Sequence, residues 1–161
     1  MDYDPLWPKV FRREADRIKI LLECRALQIE HTWSTSVPGL AAKPTIDVLL
    51  VVADSSDESA YVPILEHAGY SLRIREPNWH EHRMFKGPAA DINLHVFSRG
   101  CPEINRILHF RDRLRSNRAD RDLYEQTKRN LVEKEWADVQ GYADAKTAVI
   151  QEILARTALK S

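Results

Sequence analysis

The chain has no run of about 18 apolar residues, the length a helix needs to cross a bilayer, so no membrane span is expected. Its longest apolar run, Val48 to Ala53, has the length of a buried strand. Cysteine is scarce: Cys24 and Cys101 lie far apart and lack metal-ligand spacing. The acidic start, Met1-Asp2-Tyr3-Asp4-Pro5, lacks the basic and apolar regions of a secretory signal. Two reduced thiols and a cytoplasmic location are therefore expected. Net charge is also absent, with 24 basic residues cancelled by 24 acidic ones. That argues against a general polyanion binder, and so against nucleic acid as the partner. Glycine is sparse, five in 161 residues, and no internal repeat or low-complexity linker interrupts the chain.

What is present is ordinary globular usage, 43% hydrophobic and 30% charged. A chain of 161 residues makes one domain, 1–161, large enough to bury a core. Arginine outnumbers lysine 16 to 8, and seven arginines fall between Arg106 and Arg129. These read first as a solvated helix pairing with its own acids, and second as phosphate or carboxylate contacts.

Asp4-Pro5 predicts a helix start, and the apolar spacing of Trp7, Val10, Phe11, Ile18, Leu21 and Leu22 continues it over 5–26. Strands are expected over 27–32 and 45–52, separated by a loop with at most one helical turn. Ser55 and Glu58 fit a capping box for a helix ending at Ala68-Gly69. Strands at 70–75, 82–86 and 91–97 follow; in the last, Asp91, Asn93 and His95 share one face. Helices over 102–117, 119–135 and 140–159 complete the chain, the last with a stripe of Tyr142, Val149, Ile150, Ile153 and Leu154. Strands in the middle and helices at both ends make the fold class α+β, about five strands and a helical C-terminal part.

The stretch Glu30-His31-Thr32-Trp33-Ser34-Thr35-Ser36-Val37-Pro38-Gly39-Leu40-Ala41-Ala42-Lys43-Pro44-Thr45-Ile46-Asp47 gathers hydroxyls, a lysine and two carboxylates between two strands. Hydroxyls and backbone N–H groups in a tight loop form an anion-binding surface. Asp47 interrupts an apolar strand and must be paired, solvated or bound to a metal. This strand–loop–strand arrangement resembles that of the nucleotidyltransferase superfamily, where the loop holds phosphate and the acid holds Mg²⁺.

The run from His31 to Asp47 resembles the signature of the GrpB family, a nucleotidyltransferase-like family whose members read close to E-H-x-G-S-T-S-V-P-G-L-A-A-K-P-x-I-D. Trp7-Pro8, Ala68-Gly69-Tyr70, His82 to Phe85, Leu94-His95-Val96, Phe110 to Arg115, Tyr124, Lys128, Tyr142 and Lys146 match its further landmarks. The resemblance covers essentially the full chain. It implies a mixed sheet with helices packed on it, and some relatives are fused to dephospho-CoA kinase. Two departures stand out. Trp33 occupies the glycine position, and Asp47 has no second carboxylate two residues on.

The expected site follows. Asp47, His95 and Glu30 are the catalytic candidates, and Asp47 with Glu30 the candidate Mg²⁺ ligands. Ser34, Thr35, Ser36, Lys43, His82, Arg83, Arg111, Arg115 and Trp33 are the candidates for binding substrate or phosphate. The plainer alternatives are a hydrogen-bonded Asp47, turn-forming hydroxyls, a Glu30–Lys43 ion pair and an internal arginine network. Three functions fit: Mg²⁺-dependent nucleotidyl transfer from an NTP to a small acceptor, acid–base chemistry on a small charged metabolite in the same fold, or a non-catalytic nucleotide or metabolite sensor. The oligomeric state is left open.

Overall fold

The computed structural model describes residues 1–89, 91–133 and 139–158. Five strands, β1 (Gln28–Thr32), β2 (Ile46–Val52), β3 (Ser71–Glu76), β4 (His82–Lys86) and β5 (Ile92–Ser98), form one sheet in the order β1-β2-β5-β4-β3. Only β2 and β5 run parallel; the other three pairings are antiparallel. Helices α1 (Trp7–Leu22), α2 (Val62–His67), α3 (Pro102–Ser116), α4 (Arg118–Glu133) and α5 (Val139–Ala158) pack on it.

The period of two along each strand sorts side chains between the sheet's two faces. Val48, Leu50, Val52, Phe85, Leu94 and Val96 share one face and pack against Trp7, Ile18 and Leu22 of α1 and Val62 and Leu65 of α2. Each such apolar side chain, taken fully from water, contributes about 1.5–3 kcal/mol. Leu49, Val51 and Phe97 lie on the opposite face and meet Ile104 and Ile107 of α3. Beyond them Phe110, Leu114, Tyr124, Val149, Ile150 and Ile153 join the three C-terminal helices to Val37 and Leu40 of the β1–β2 connection. Asp47, Asn93 and His95 belong to this second face, so the helices that cover it also wall the site.

Several expected boundaries move for local reasons. Helix α1 begins at Trp7, because the Asp4 carboxylate accepts the Leu6 N–H at 2.9 Å and the Asp4 carbonyl accepts the Trp7 N–H at 3.0 Å, closing a turn first. The expected capping box does not form. The buried Ser55 hydroxyl donates to the Glu81 carbonyl at 2.7 Å, and Glu58 pairs with Arg75 and Arg83. A 3₁₀ turn at Glu58–Ala60 precedes α2, which starts late enough to place Pro63 in its first turn, where the missing N–H costs nothing. Gly69 ends α2 at φ +100°, and a Cβ there would lie 2.9 Å from Pro88 Cβ. The expected helix ends at 135 and 159, and the Tyr142 side chain, lie outside the described residues.

Candidate functional site

Asp47 sits second in β2, with Asn93 beside it in register on β5 and His95 two residues further on. Its Oδ1 lies 3.2 Å from His95 Nε2 and 3.4 Å from Asn93 Nδ2. His95 Nδ1 lies 3.1 Å from Nε2 of His82, and His82 Nδ1 lies 2.7 Å from Glu76 Oε1. The antiparallel register of β3 and β4 sets Glu76 directly opposite His82. The result is a line Glu76–His82–His95–Asp47 across four strands on the sheet's second face. Its proton count is informative. With both carboxylates ionised, three contacts need three N–H protons on four ring nitrogens, whereas two neutral imidazoles supply two. The fully bonded line therefore carries one extra proton, shared by the pair. Burial holds the His82 pKa below the ordinary histidine value, opposed by its hydrogen bond to Glu76.

The β1–β2 connection opens on Trp33, whose backbone stands at φ 58° and ψ −155°. This is a conformation glycine takes freely and a tryptophan adopts at a cost of about 1–3 kcal/mol. The 3₁₀ turn Ser34–Ser36 follows. Two of its three hydroxyls turn inward. Thr35 Oγ1 donates to the Thr45 carbonyl at 3.0 Å and so accepts from His31 Nε2 at 2.9 Å. Ser36 Oγ donates to the Trp33 carbonyl. Thr35 and Ser36, expected to contact phosphate, are buried and instead shape the turn. Ser34 alone presents its hydroxyl outward, where it accepts from Lys128 Nζ at 2.8 Å.

A cleft of ≈ 1050 Å³ lies between this turn, the ends of β2 and β5, and helices α4 and α5; Trp33, Ser34, Lys43, Asp47 and His95 all line it. Lys128 and Lys146 face it from the helices. Burial, then repulsion from Lys146 and Lys43, pushes the Lys128 pKa down to about 8, while Asp47 opposes the shift. Lys146 is lowered by burial and by Lys43, again against Asp47. The Lys128 ammonium also stands 5.1 Å from the Tyr124 ring centroid. Glu125 lines the same cleft but accepts the Ala41 N–H at 2.8 Å and lies 3.9 Å from Arg129. Three ammonium groups thus gather around Asp47.

The remaining expected residues are spent elsewhere. Glu30 is held by Arg111 Nη1 at 2.7 Å, and the same nitrogen donates to the His31 carbonyl at 3.1 Å. Arg115 Nε donates to the Ser36 carbonyl at 2.8 Å. Arg111 and Arg115 therefore fasten α3 to β1 and to the turn, and neither lines the cleft. Arg83 lies on the opposite face from Asp47 and pairs with Glu58 at 2.7 Å. His82 meets the site through His95 and does not line the cleft itself. Lys43 stands exposed at the cleft's edge and makes no described ion pair with Glu30. Trp33, a candidate for binding substrate, both lines the cleft and packs on Phe110, ring centroids 5.7 Å apart. The roles of Lys128, Lys146 and Glu76 were not read from the sequence; the first two carried a signal only as family landmarks.

Residues 1–156 match the family described as GrpB protein. The chain belongs to the GrpB family. It is 63% identical over 156 residues to the UPF0157 protein BH1888 of Halalkalibacterium halodurans, covering 97% of this chain and 80% of that one. A dephospho-CoA kinase of Mycobacterium tuberculosis is 28% identical over 169 residues, 89% of this chain and 42% of the kinase. The crystal structure of GrpB from Enterococcus faecalis superposes with a TM-score of 0.82 at 29% identity, over 98% of both chains. The Cid1 poly(U) polymerase, in a structure with MgGTP bound, matches with a TM-score of 0.51 at 11% identity, over 80% of this chain and 45% of that one. The GrpB-family fold of this chain is therefore α+β and nucleotidyltransferase-like. No described helix is long and apolar enough to cross a membrane.

The donor set of this GrpB-family cleft does not fit a resident Mg²⁺ centre. Mg²⁺ is held by carboxylates together with substrate phosphates, and two-metal transfer needs several acids. Glu30, the expected second ligand, is neutralised by Arg111. Asn93 Oδ1 is buried without a partner among the described residues, but the amide directs its nitrogen at Asp47 and so turns that oxygen away. No group of three His, Cys, Asp or Glu among the described residues is arranged to hold a metal. The positive charge that faces Asp47 in the cleft comes from the lysines lining it.

Proposed function

We propose that the cleft binds the phosphate groups of a nucleotide or another phosphorylated small molecule, and that His95 moves a proton there. The observation that supports this reading is the set of three lysines, Lys43, Lys128 and Lys146, lining one cleft with Ser34 and Asp47. Two of them, Lys128 and Lys146, have pKa values lowered by burial and by like charge. An anion entering the cleft relieves that repulsion, which is binding energy available to a phosphate and withheld from a neutral ligand. His95 exchanges a proton with His82 at Nδ1, and its Nε2–H, held at Asp47 at 3.2 Å, passes its proton to the ligand when the ligand takes the place of that contact. This is acid–base chemistry on a charged small molecule in a nucleotidyltransferase-like fold.

The second reading is Mg²⁺-dependent nucleotidyl transfer from an NTP, favoured by the fold shared with the Cid1 polymerase. Asp47→Asn separates the two. Under the first reading the variant removes a negative charge beside the anion, so pyrophosphate binds it about 3–10-fold more tightly by calorimetry, with or without Mg²⁺. Proton transfer through His95 is lost at the same time. Under the second reading Asp47→Asn abolishes Mg²⁺-dependent NTP binding. Wild-type protein that binds neither pyrophosphate nor an NTP, with or without Mg²⁺, overturns both.

A further inference from the structure

A second cavity, of ≈ 200 Å³, opens on the same sheet face toward the β3–β4 hairpin. Its walls are apolar and mostly aromatic: Trp33, Trp79, Leu49, Phe97 and Ile107. Trp79 is carried by the hairpin turn and remains 42% exposed. It stands edge-on to His82, at 5.2 Å and 88°, and to Phe97, at 5.8 Å and 66°. Leaving so large an apolar side chain half in water above a cavity gains little from folding alone.

Backbone strain points to the same place. Four non-glycine residues have positive φ among the described residues: Glu23, Trp33, His80 and Glu81. Three of them belong to the two indole walls, since Trp33 is itself strained and His80 and Glu81 directly follow Trp79. Such conformations persist where the surroundings enforce them, and they gather at binding sites.

The polar groups define the ligand. Glu76 and the buried Glu103 line the cavity, and each commits Oε1 to one partner, His82 at 2.7 Å and Arg106 at 2.8 Å. An ionised carboxylate only accepts, so the second oxygen of each can take a hydrogen bond from a donor on a ligand. Aromatic walls favour a flat ring, and the volume suits one ring system, not a whole nucleotide. His95 lines this cavity and the lysine-lined cleft alike.

We propose that this cavity is a second-substrate site, taking a planar heterocycle with an exocyclic amino group and presenting it to His95 opposite the anion in the cleft. The role of His95 rests on the function proposed above; binding in the cavity does not. The probes are 9-methyladenine, which carries the amino donor, and 9-methylpurine, which lacks it. The readout is the indole N–H resonances, with Trp79 assigned by Trp79→Phe. We expect 9-methyladenine to shift the Trp33 and Trp79 signals with millimolar affinity, and 9-methylpurine to bind at least tenfold more weakly. Trp79→Ala and Glu76→Gln should each weaken 9-methyladenine at least fivefold, and Trp79→Ala, which lies outside the cleft and its histidine line, should leave pyrophosphate affinity unchanged. No shift by 10 mM 9-methyladenine overturns the site. Equal binding of the two purines overturns the ligand class, and binding indifferent to both variants overturns the location. Pyrophosphate binding that fails while 9-methyladenine still shifts Trp79 overturns the function proposed for the cleft and leaves this site standing.

Discussion

His82 and His95 face each other across β4 and β5 with Nε2 of one 3.1 Å from Nδ1 of the other, their rings stacked at 5.3 Å and 18°. Each turns its remaining ring nitrogen to a carboxylate, Glu76 at one end and Asp47 at the other. The pair can hold either two or three ring protons, and only the third completes all three hydrogen bonds. Under the function proposed for the cleft, that property lets the pair store a proton beside it.

Glu76→Gln should reverse the outermost bond. The amide N–H then donates to His82 Nδ1, and two neutral imidazoles satisfy the whole line. The extra proton loses its partner, so the pH at which the imidazole pair takes it up should fall by at least one unit. Histidine ¹⁵N chemical shifts followed against pH measure this directly; an unchanged midpoint would show that Glu76 does not hold that proton.

Lys128→Met should weaken pyrophosphate binding at least tenfold and yet not destabilise the protein near pH 7. The folded-state pKa of about 8 lies below the ordinary lysine value of 10.5. Between those values the unfolded chain binds more protons, so this group adds stability to the wild type as pH rises through the window. The stability of the variant relative to wild type should therefore be greatest below pH 8 and shrink toward pH 10.5. Denaturant midpoints across that range check the sign.

At Trp33 the comparison of two substitutions isolates the backbone. Trp33→Ala and Trp33→Gly both delete the indole and its contact with Phe110, so both lower the melting temperature. Alanine keeps the unfavourable φ of 58° and glycine relieves it. Glycine should be the more stable of the two by about 1 kcal/mol, the reverse of the usual order in regular structure. Equal melting temperatures, or alanine ahead, would mean that the turn relaxes once the indole is gone.

His31 is held to a pKa of about 4, chiefly by burial and then by Arg115. Its folded pKa lies below the ordinary histidine value of 6.5, so the unfolded chain binds the extra proton between the two. Stability should fall as pH drops from 6.5 toward 4, by on the order of 2–3 kcal/mol from this group. His31→Gln retains a donor for Thr35 and should flatten that part of the pH profile in urea titrations.

Much of this was legible in the residues. The β-branched run before Val52 and the alternation from Ile92 to Phe97 announce strands because a half-buried pleated sheet selects that pattern. The loop from Ser34 to Lys43 marks a candidate site by its polar groups, but Thr35 and Ser36 serve the turn, and of the expected loop residues only Ser34 and Lys43 turn to the cleft. His82 and Arg83 were grouped as one candidate, although neighbours in a strand face opposite ways; the period of two allows only one of them onto the site face. Which one it is depends on register, and register is a property of the whole sheet.

From the sequence alone came the order of elements and the α+β class, because local periodicity carries them, and the candidacy of Ser34, Asp47 and His95, because motif composition does; the mixed sheet was implied only by the family resemblance. Only tertiary structure decided the partners. Glu30 is lost to Arg111, 81 positions away, and Lys128 reaches Ser34, 94 positions away, through the docking of α3 and α4. A carboxylate's charge can be spent on an arginine, a metal or a substrate. Its choice among them follows from which groups packing brings within about 3 Å, where charge-assisted hydrogen bonds form.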